Sequence, residues 1–158
     1  FRVLAIDFRA AIASREGKET PCLYDASCLA KDILAAVRYL RREGAKEISI
    51  VGGSLGGGAA AQATIEAEAG EIDRTVLLAH MLIGEPERMK GRKLFIVARN
   101  DLSGSGKPRL DGIRAQFELA PEPKKMVILE GSAHAQFLFD SDQSQRLIEE
   151  ILRFLSEP

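Results

Sequence analysis

The stretch Glu47–Ala60, EISIVGGSLGGGAA, limits what this chain can fold into more than any other. A β-branched run, Glu47–Val51, breaks into Gly52-Gly53-Ser54-Leu55-Gly56-Gly57-Gly58, and an Ala-rich helical pattern follows over Ala59–Glu68. Strand, tight glycine turn and helix, in that order, are the context in which Gly52-x-Ser54-x-Gly56 acquires a physical meaning. A serine at the apex of so sharp a turn holds a strained backbone. Glycines two before and two after it remove Cβ atoms that would otherwise collide there. The helix that follows aims free N–H groups and a positive dipole end at the space above Ser54, which suits negative charge developing on an oxygen. A dinucleotide-binding turn needs G-x-G-x-x-G, which no register of residues 52–58 supplies. A phosphate-binding loop needs Lys-Ser/Thr after its last glycine, and Gly58 is followed by Ala59. A plain strand–helix turn is the bland reading, and residues further along have to decide between them.

The rest of the chain alternates strands and helices around that turn. Arg2–Asp7, RVLAID, is an apolar run too short for a helix and without alternation, as in a strand buried on both faces. Phe8–Pro21 is polar and irregular. From about Asp25 to Arg42, Leu29, Ile33, Val37 and Leu40 form a helical stripe, with Gly44 as a C-terminal cap. The elbow strand and its helix come next. Thr75–Ala79, Lys93–Ala98 and Lys125–Leu129 read as further buried strands, with a short helix within Pro108–Leu119. The last helix begins near Ser141, with Asp140 and Gln143 spaced as in a capping box and Leu147, Ile148, Ile151, Leu152 and Leu155 on one side. The expected fold class is α/β: a mostly parallel sheet of about five strands with helices on both faces, one domain over residues 1–158. In such sheets the chemistry gathers at the carboxyl ends of the strands.

Three residues meet that condition. Ser54 follows the elbow strand, Asp101 follows LFIVARN, and His134 follows KMVIL in Gly131-Ser132-Ala133-His134. Attack by Ser54 needs a base, and imidazole is the side chain that titrates near neutrality. Asp101 would fix the tautomer of His134 and stabilise the imidazolium as it forms. The order Ser, Asp, His is the one a strand-end triad on this architecture requires. His80, at the end of TVLLA, reads as pocket wall or surface. Asp140 and Asp142 are better used in starting the last helix, and Asp73 precedes its strand, at the wrong end of the sheet.

Composition removes several classes of partner. Lys and Arg total 22 against 23 Asp and Glu, a net charge of −1, so no electrostatic footprint for nucleic acid or anionic membrane is present. No apolar run approaches the roughly 20 residues that span a bilayer. Cys22 and Cys28 match neither C-x-x-C nor a metal spacing and read as reduced thiols, with Cys28 buried on a helix, which favours a cytoplasmic location. No metal or organic cofactor is implied.

On Gly52-Gly53-Ser54-Leu55-Gly56-Gly57, on Asp101 in LFIVARND and on His134 in LEGSAHAQFLF, the chain resembles an α/β-hydrolase. Within that superfamily it is similar to the serine branch of the dienelactone-hydrolase-like, small lidless esterases, over its whole length. The resemblance implies a carboxylic ester hydrolase acting on a small-molecule ester, with the Leu55 N–H as one oxyanion donor and Gly52 and Gly56 as the elbow glycines. Dienelactone hydrolases proper use a Cys nucleophile, so Ser54 points away from that substrate. After the strand matching Arg2–Asp7, relatives typically continue F-R-G-x-G-x-S, whereas here Phe8-Arg9 runs into Ala10-Ala11-Ile12-Ala13-Ser14. Relatives also carry three further strands upstream, and the loop after the third supplies a second oxyanion donor. The resemblance therefore implies a partial α/β-hydrolase fold lacking the family's first three strands. Arg2–Asp7 then either pairs directly with the elbow strand or faces a gap in the sheet, and the isolated chain is expected to be aggregation-prone and nearly inactive. His80–Arg92 is too short for a helical cap, which implies an open site and short acyl groups. A serine peptidase or acyl-amino-acid hydrolase, and a non-catalytic hydrolase-like scaffold, are the alternative functions. The oligomeric state stays open.

Overall fold

The computed structural model describes residues 1–19, 22 and 24–157. Four short apolar runs pair in parallel, in sequence order, as one sheet: β1 (Ser49–Gly53), β2 (Arg74–Leu78), β3 (Arg92–Ala98) and β4 (Lys124–Leu129). The register sets Gly53 beside Leu78 and Ala98 beside Leu129, so the carboxyl ends of all four strands lie along one rim. β2 and β3 have neighbours on both sides, and their apolar residues are buried on both faces, which is why they lack alternation.

The helices divide between the two faces. α2 (Ala26–Arg42), α3 (Leu55–Glu66) and α4 (Arg109–Leu119) cover one, packing Leu29, Ile33, Val37, Ile65 and Ile113 against Leu77, Phe95 and Val97. α5 (Ser144–Ser156) covers the other, with Leu147, Ile151 and Phe154 against Val76, Leu94, Ile96 and Leu129. Along α3 the alanines 59, 60, 61 and 63 are fully buried, and side chains this small allow the helix to lie close to the sheet and α2. The Asp25 carboxylate caps α2 by accepting the N–H groups of Ser27 (2.9 Å) and Cys28 (3.3 Å). Gly44, at φ 85°, ends that helix in the left-handed conformation expected of it.

Several sequence expectations need correction. The sheet has four strands among the described residues, where about five were expected, because Arg2–Asp7 lies outside it. That run is extended in sequence character but has no strand alongside to take its N–H and C=O groups, and Phe1 and Val3 are 85% and 89% exposed. Residues 8–21 are not all irregular: Arg9–Arg15 forms α1, since Ala10, Ala11 and Ala13 are the strongest kind of helix former. Thr20 and Pro21 lie outside the described residues. At α1 the Arg9 side chain pairs with Asp32 of α2. The capping box at Asp140 and Gln143 does not form. Ala135–Asp140 is instead a 3-10 segment, α5 starts three residues later than Ser141, and the Ser141 hydroxyl accepts the Gln143 N–H at 3.2 Å. The face α5 buries includes Phe154, while Ile148 and Leu152 are exposed.

Cys22 and Cys28 are joined as a disulfide with Cα atoms 5.4 Å apart, not held as two reduced thiols, and Cys28 is only half-buried. The turn that Asp25 closes at the start of α2 brings residue 22 back beside the first helical turn, a proximity that spacing alone did not reveal. The disulfide removes the premise from which a cytoplasmic location was read. No helix among the described residues is long and apolar enough to cross a membrane.

Candidate active site

Ser54 sits between the end of β1 and the first residue of α3, at φ 51° and ψ −118°, a strained conformation for a residue with a side chain. Three hydrogen bonds hold it there. Its N–H donates to the Leu78 carbonyl at 2.9 Å, and its carbonyl accepts the N–H groups of Gly58 (3.1 Å) and Met81 (3.0 Å). The loop after β2 thus grips the turn from the neighbouring strand. A Cβ on Gly52 would lie 2.5 Å from the Gly56 carbonyl oxygen, so this position tolerates only glycine. Gly56 itself differs from the sequence expectation: a Cβ there would meet nothing nearer than a Phe8 ring carbon at 4.0 Å. The second forbidding position is Gly57, where a Cβ would stand 2.8 Å from the Cβ of His80.

Asp101 and His134 follow β3 and β4. Beyond the last strand pair, Arg99 N–H donates to the Leu129 carbonyl (2.8 Å) and Asn100 N–H to the Gly131 carbonyl (2.9 Å). These bonds carry the pairing past the strand ends and keep the two loops side by side. His134 Nδ1 is 2.8 Å from Asp101 Oδ2, and His134 Nε2 is 2.9 Å from Ser54 Oγ. A carboxylate only accepts, so Nδ1 carries the proton and donates to Asp101. Nε2 is then left as the acceptor for the Ser54 hydroxyl. Asp101 is 1% exposed, His134 is half-buried, and Ser54 is reachable from solvent.

In overall shape the chain matches several solved structures. A dienelactone hydrolase from Anabaena variabilis superposes with a TM-score of 0.65 at 21% identity, over 89% of this chain and 62% of that one. The esterase domain of a Rhodothermus marinus protein gives 0.58 at 17% identity, over 78% of this chain and 65% of that one. An α/β hydrolase from the metagenome of sediments of the Mar Chica lagoon in Morocco gives 0.62 at 16% identity, over 92% and 84%. The fold is that of the α/β-hydrolases. The chain spans less than two thirds of the length of the first two of these structures. No family model matches its sequence. No curated protein matches it either.

On an α/β-hydrolase sheet the carboxyl rim is where Ser54, Asp101 and His134 converge, from three strand ends and over separations of 33 and 80 residues. Leu55 is the first residue of α3, and its N–H has no partner within that helix. Asp73 lies at the opposite end of the sheet, accepting the Ile48 N–H at 2.7 Å and facing Arg41. Among the described residues no group of three or more His, Cys, Asp or Glu side chains is arranged to hold a metal ion.

His80 is neither pocket wall nor surface. It is 2% exposed, with Nε2 2.9 Å from the Gln116 side-chain oxygen, while the Gln116 amide donates to the Ile83 carbonyl at 3.0 Å. Burial pushes the imidazole down to about 4, only partly offset by the Gln116 hydrogen bond, so it is neutral at ordinary pH. It serves as packing beneath the elbow, against Gly57 and the edge of Phe95. Sequence reasoning also passed over Arg109, the first residue of α4, whose Nε lies 3.6 Å from Asp101 Oδ1. The signal that could have found it is the turn Ser103-Gly104-Ser105-Gly106, which folds Pro108 back onto Leu102.

Proposed function

We propose that residues 1–158 act as a serine hydrolase that cleaves small carboxylic esters through an acyl-enzyme. The observation that carries this reading is the continuous chain of hydrogen bonds from Ser54 Oγ through His134 to Asp101, starting at a strained serine. Ser54 Oγ attacks the acyl carbonyl carbon while its proton passes to His134 Nε2. Asp101 stabilises the imidazolium that results. The carbonyl oxygen, now an anion, accepts the Leu55 N–H at the positive end of α3. Collapse of the tetrahedral intermediate breaks the ester C–O bond, and the leaving alkoxide takes the proton from Nε2. Water, activated by His134, then attacks the acyl carbon and returns Ser54. Every proton is accounted for by these residues, and the partner is a small-molecule ester.

The thirteen-residue connection from β2 to β3 contains only a 3-10 turn, Pro86–Arg88, which supports an open site and short acyl groups. The test is covalent labelling by a serine-directed fluorophosphonate. Wild type should be labelled at Ser54, and Ser54→Ala should take no label. Asp101→Asn should keep the fold and lose turnover of a butyrate-sized ester by on the order of 10⁴, because the imidazole is then held in the wrong tautomer. Label that maps to Ser103, Ser105 or Ser132, or that survives Ser54→Ala, would refute the assignment.

A further inference from the structure

Asp101 has two carboxylate oxygens, and His134 uses one. The carboxylate is buried, and a neutral imidazole offers it a hydrogen bond but no compensating charge. Among the described residues, Arg109 is the Lys or Arg whose side-chain nitrogen comes within 4.0 Å of Asp101, with Nε 3.6 Å from Oδ1. That distance is a charge contact, too long for a hydrogen bond. Arg109 Nε is itself buried and has no hydrogen-bond partner, so the contact with Asp101 is its nearest electrostatic match.

The backbone supports the same pairing. Arg109 N–H donates to the Asp101 carbonyl at 2.9 Å, and the Ser103 N–H donates to the Lys107 carbonyl at 2.8 Å. Leu102 bridges antiparallel to Pro108. The seven residues between them are thereby closed into a turn whose two ends are Asp101 and Arg109, and α4 then holds Arg109 in its first turn. At 22% exposure the side chain is mostly covered and does not sweep through solvent.

We propose that Arg109 is a positioning residue for the hydrolase site: it holds Asp101 oriented by facing the oxygen that His134 does not use. The proposal rests on the hydrolase reading above. It adds a fourth member to the relay, one that acts through Asp101 and touches no substrate. Because the effect passes through a carboxylate, it depends on that carboxylate being present.

A double-mutant cycle on ester hydrolysis tests this. Arg109→Met should lower kcat by roughly 10- to 100-fold with KM unchanged, as a small misorientation of the relay does. Arg109→Lys, which keeps a cation, should recover most of that loss. In the Asp101→Asn background, adding Arg109→Met should change kcat by no more than about twofold, since the group it acts through is gone. Arg99→Met, which breaks the exposed Arg99–Glu130 pair at the neighbouring strand ends, should leave kcat as it is. Equal losses in both backgrounds, a raised KM with kcat unchanged, or a Lys variant no better than Met would each overturn the proposal. If Arg109→Met does not fold, the Lys variant run through the same cycle decides the matter. Wild-type labelling at Ser54 keeps the two readings apart: without it the hydrolase reading fails and this one falls with it.

Discussion

RVLAID at residues 2–7 and KLFIVA at residues 93–98 are nearly interchangeable as text: six residues, mostly apolar, without alternation. One lies outside the sheet with Val3 in water, and the other is β3, buried from Lys93 to Ala98. The difference is made by neighbours. β3 has β2 paired along Arg92–Ile96 on one side and β4 along Lys93–Ala98 on the other, with helices above and below. Among the described residues Arg2–Asp7 has no strand beside it, although β1 presents an unpaired outer edge on which Val51 is 49% exposed. Apolar composition states a capacity for burial. A partner has to exist before that capacity stabilises anything.

The largest test of this contrast is a matched pair of truncations. Phe95→Ala, which removes a ring packed edge-on to His80 and Phe117, should cost about 3–5 kcal/mol in urea unfolding. Leu4→Ala in the exposed run should change stability by no more than about 0.5 kcal/mol. A Leu4→Ala loss approaching that of Phe95→Ala would mean that the first run is packed in solution and the contrast is false.

The second test is pH. His80 packs on β3 and is held neutral, with its value depressed from 6.5 to about 4. The unfolded chain takes up a proton as pH falls below 6.5, while the folded chain resists until about 4. The stabilisation is therefore complete above pH 6.5 and is lost as pH drops towards 4. In all it amounts to roughly 3 kcal/mol. His80→Gln should flatten that part of the profile measured by urea midpoints between pH 7 and pH 4. An unchanged slope would place the titrating group elsewhere.

The smallest effect on stability is expected from the exposed run, yet it should be visible in association. Val3→Ser and Leu4→Ser together should leave the urea midpoint unchanged while lowering self-association in sedimentation, because they remove apolar surface beside an open sheet edge. No change in association would show that the run and the edge do not recruit other copies.

The legible parts of the molecule were those set by local chemistry or by periodicity. Gly44 as a helix stop and the carboxyl end of β3 at Ala98 follow from steric and hydrogen-bonding rules acting over a few residues. Ser54, Asp101 and His134 stood out because each lies within five residues of the end of an apolar run. Other features were illegible for lack of such a rule. Whether Asp140 and Gln143 form a capping box depends on where the preceding 3-10 segment ends, and the burial of Phe154 depends on how α5 is rotated against the sheet.

The amino-acid order by itself determined that a serine would stand on a strained turn between strand and helix. A Cβ at residue 52 would collide with the backbone four residues on, and that collision is local. It also determined the alternation that makes the sheet parallel. Tertiary structure alone decided that Arg2–Asp7 is not a strand, that Cys22 meets Cys28, that His80 lies buried under the elbow, and that Arg109 faces Asp101. These outcomes share one physical reason. Each is a pairing, and the free energy of a pair depends on where its second member lies.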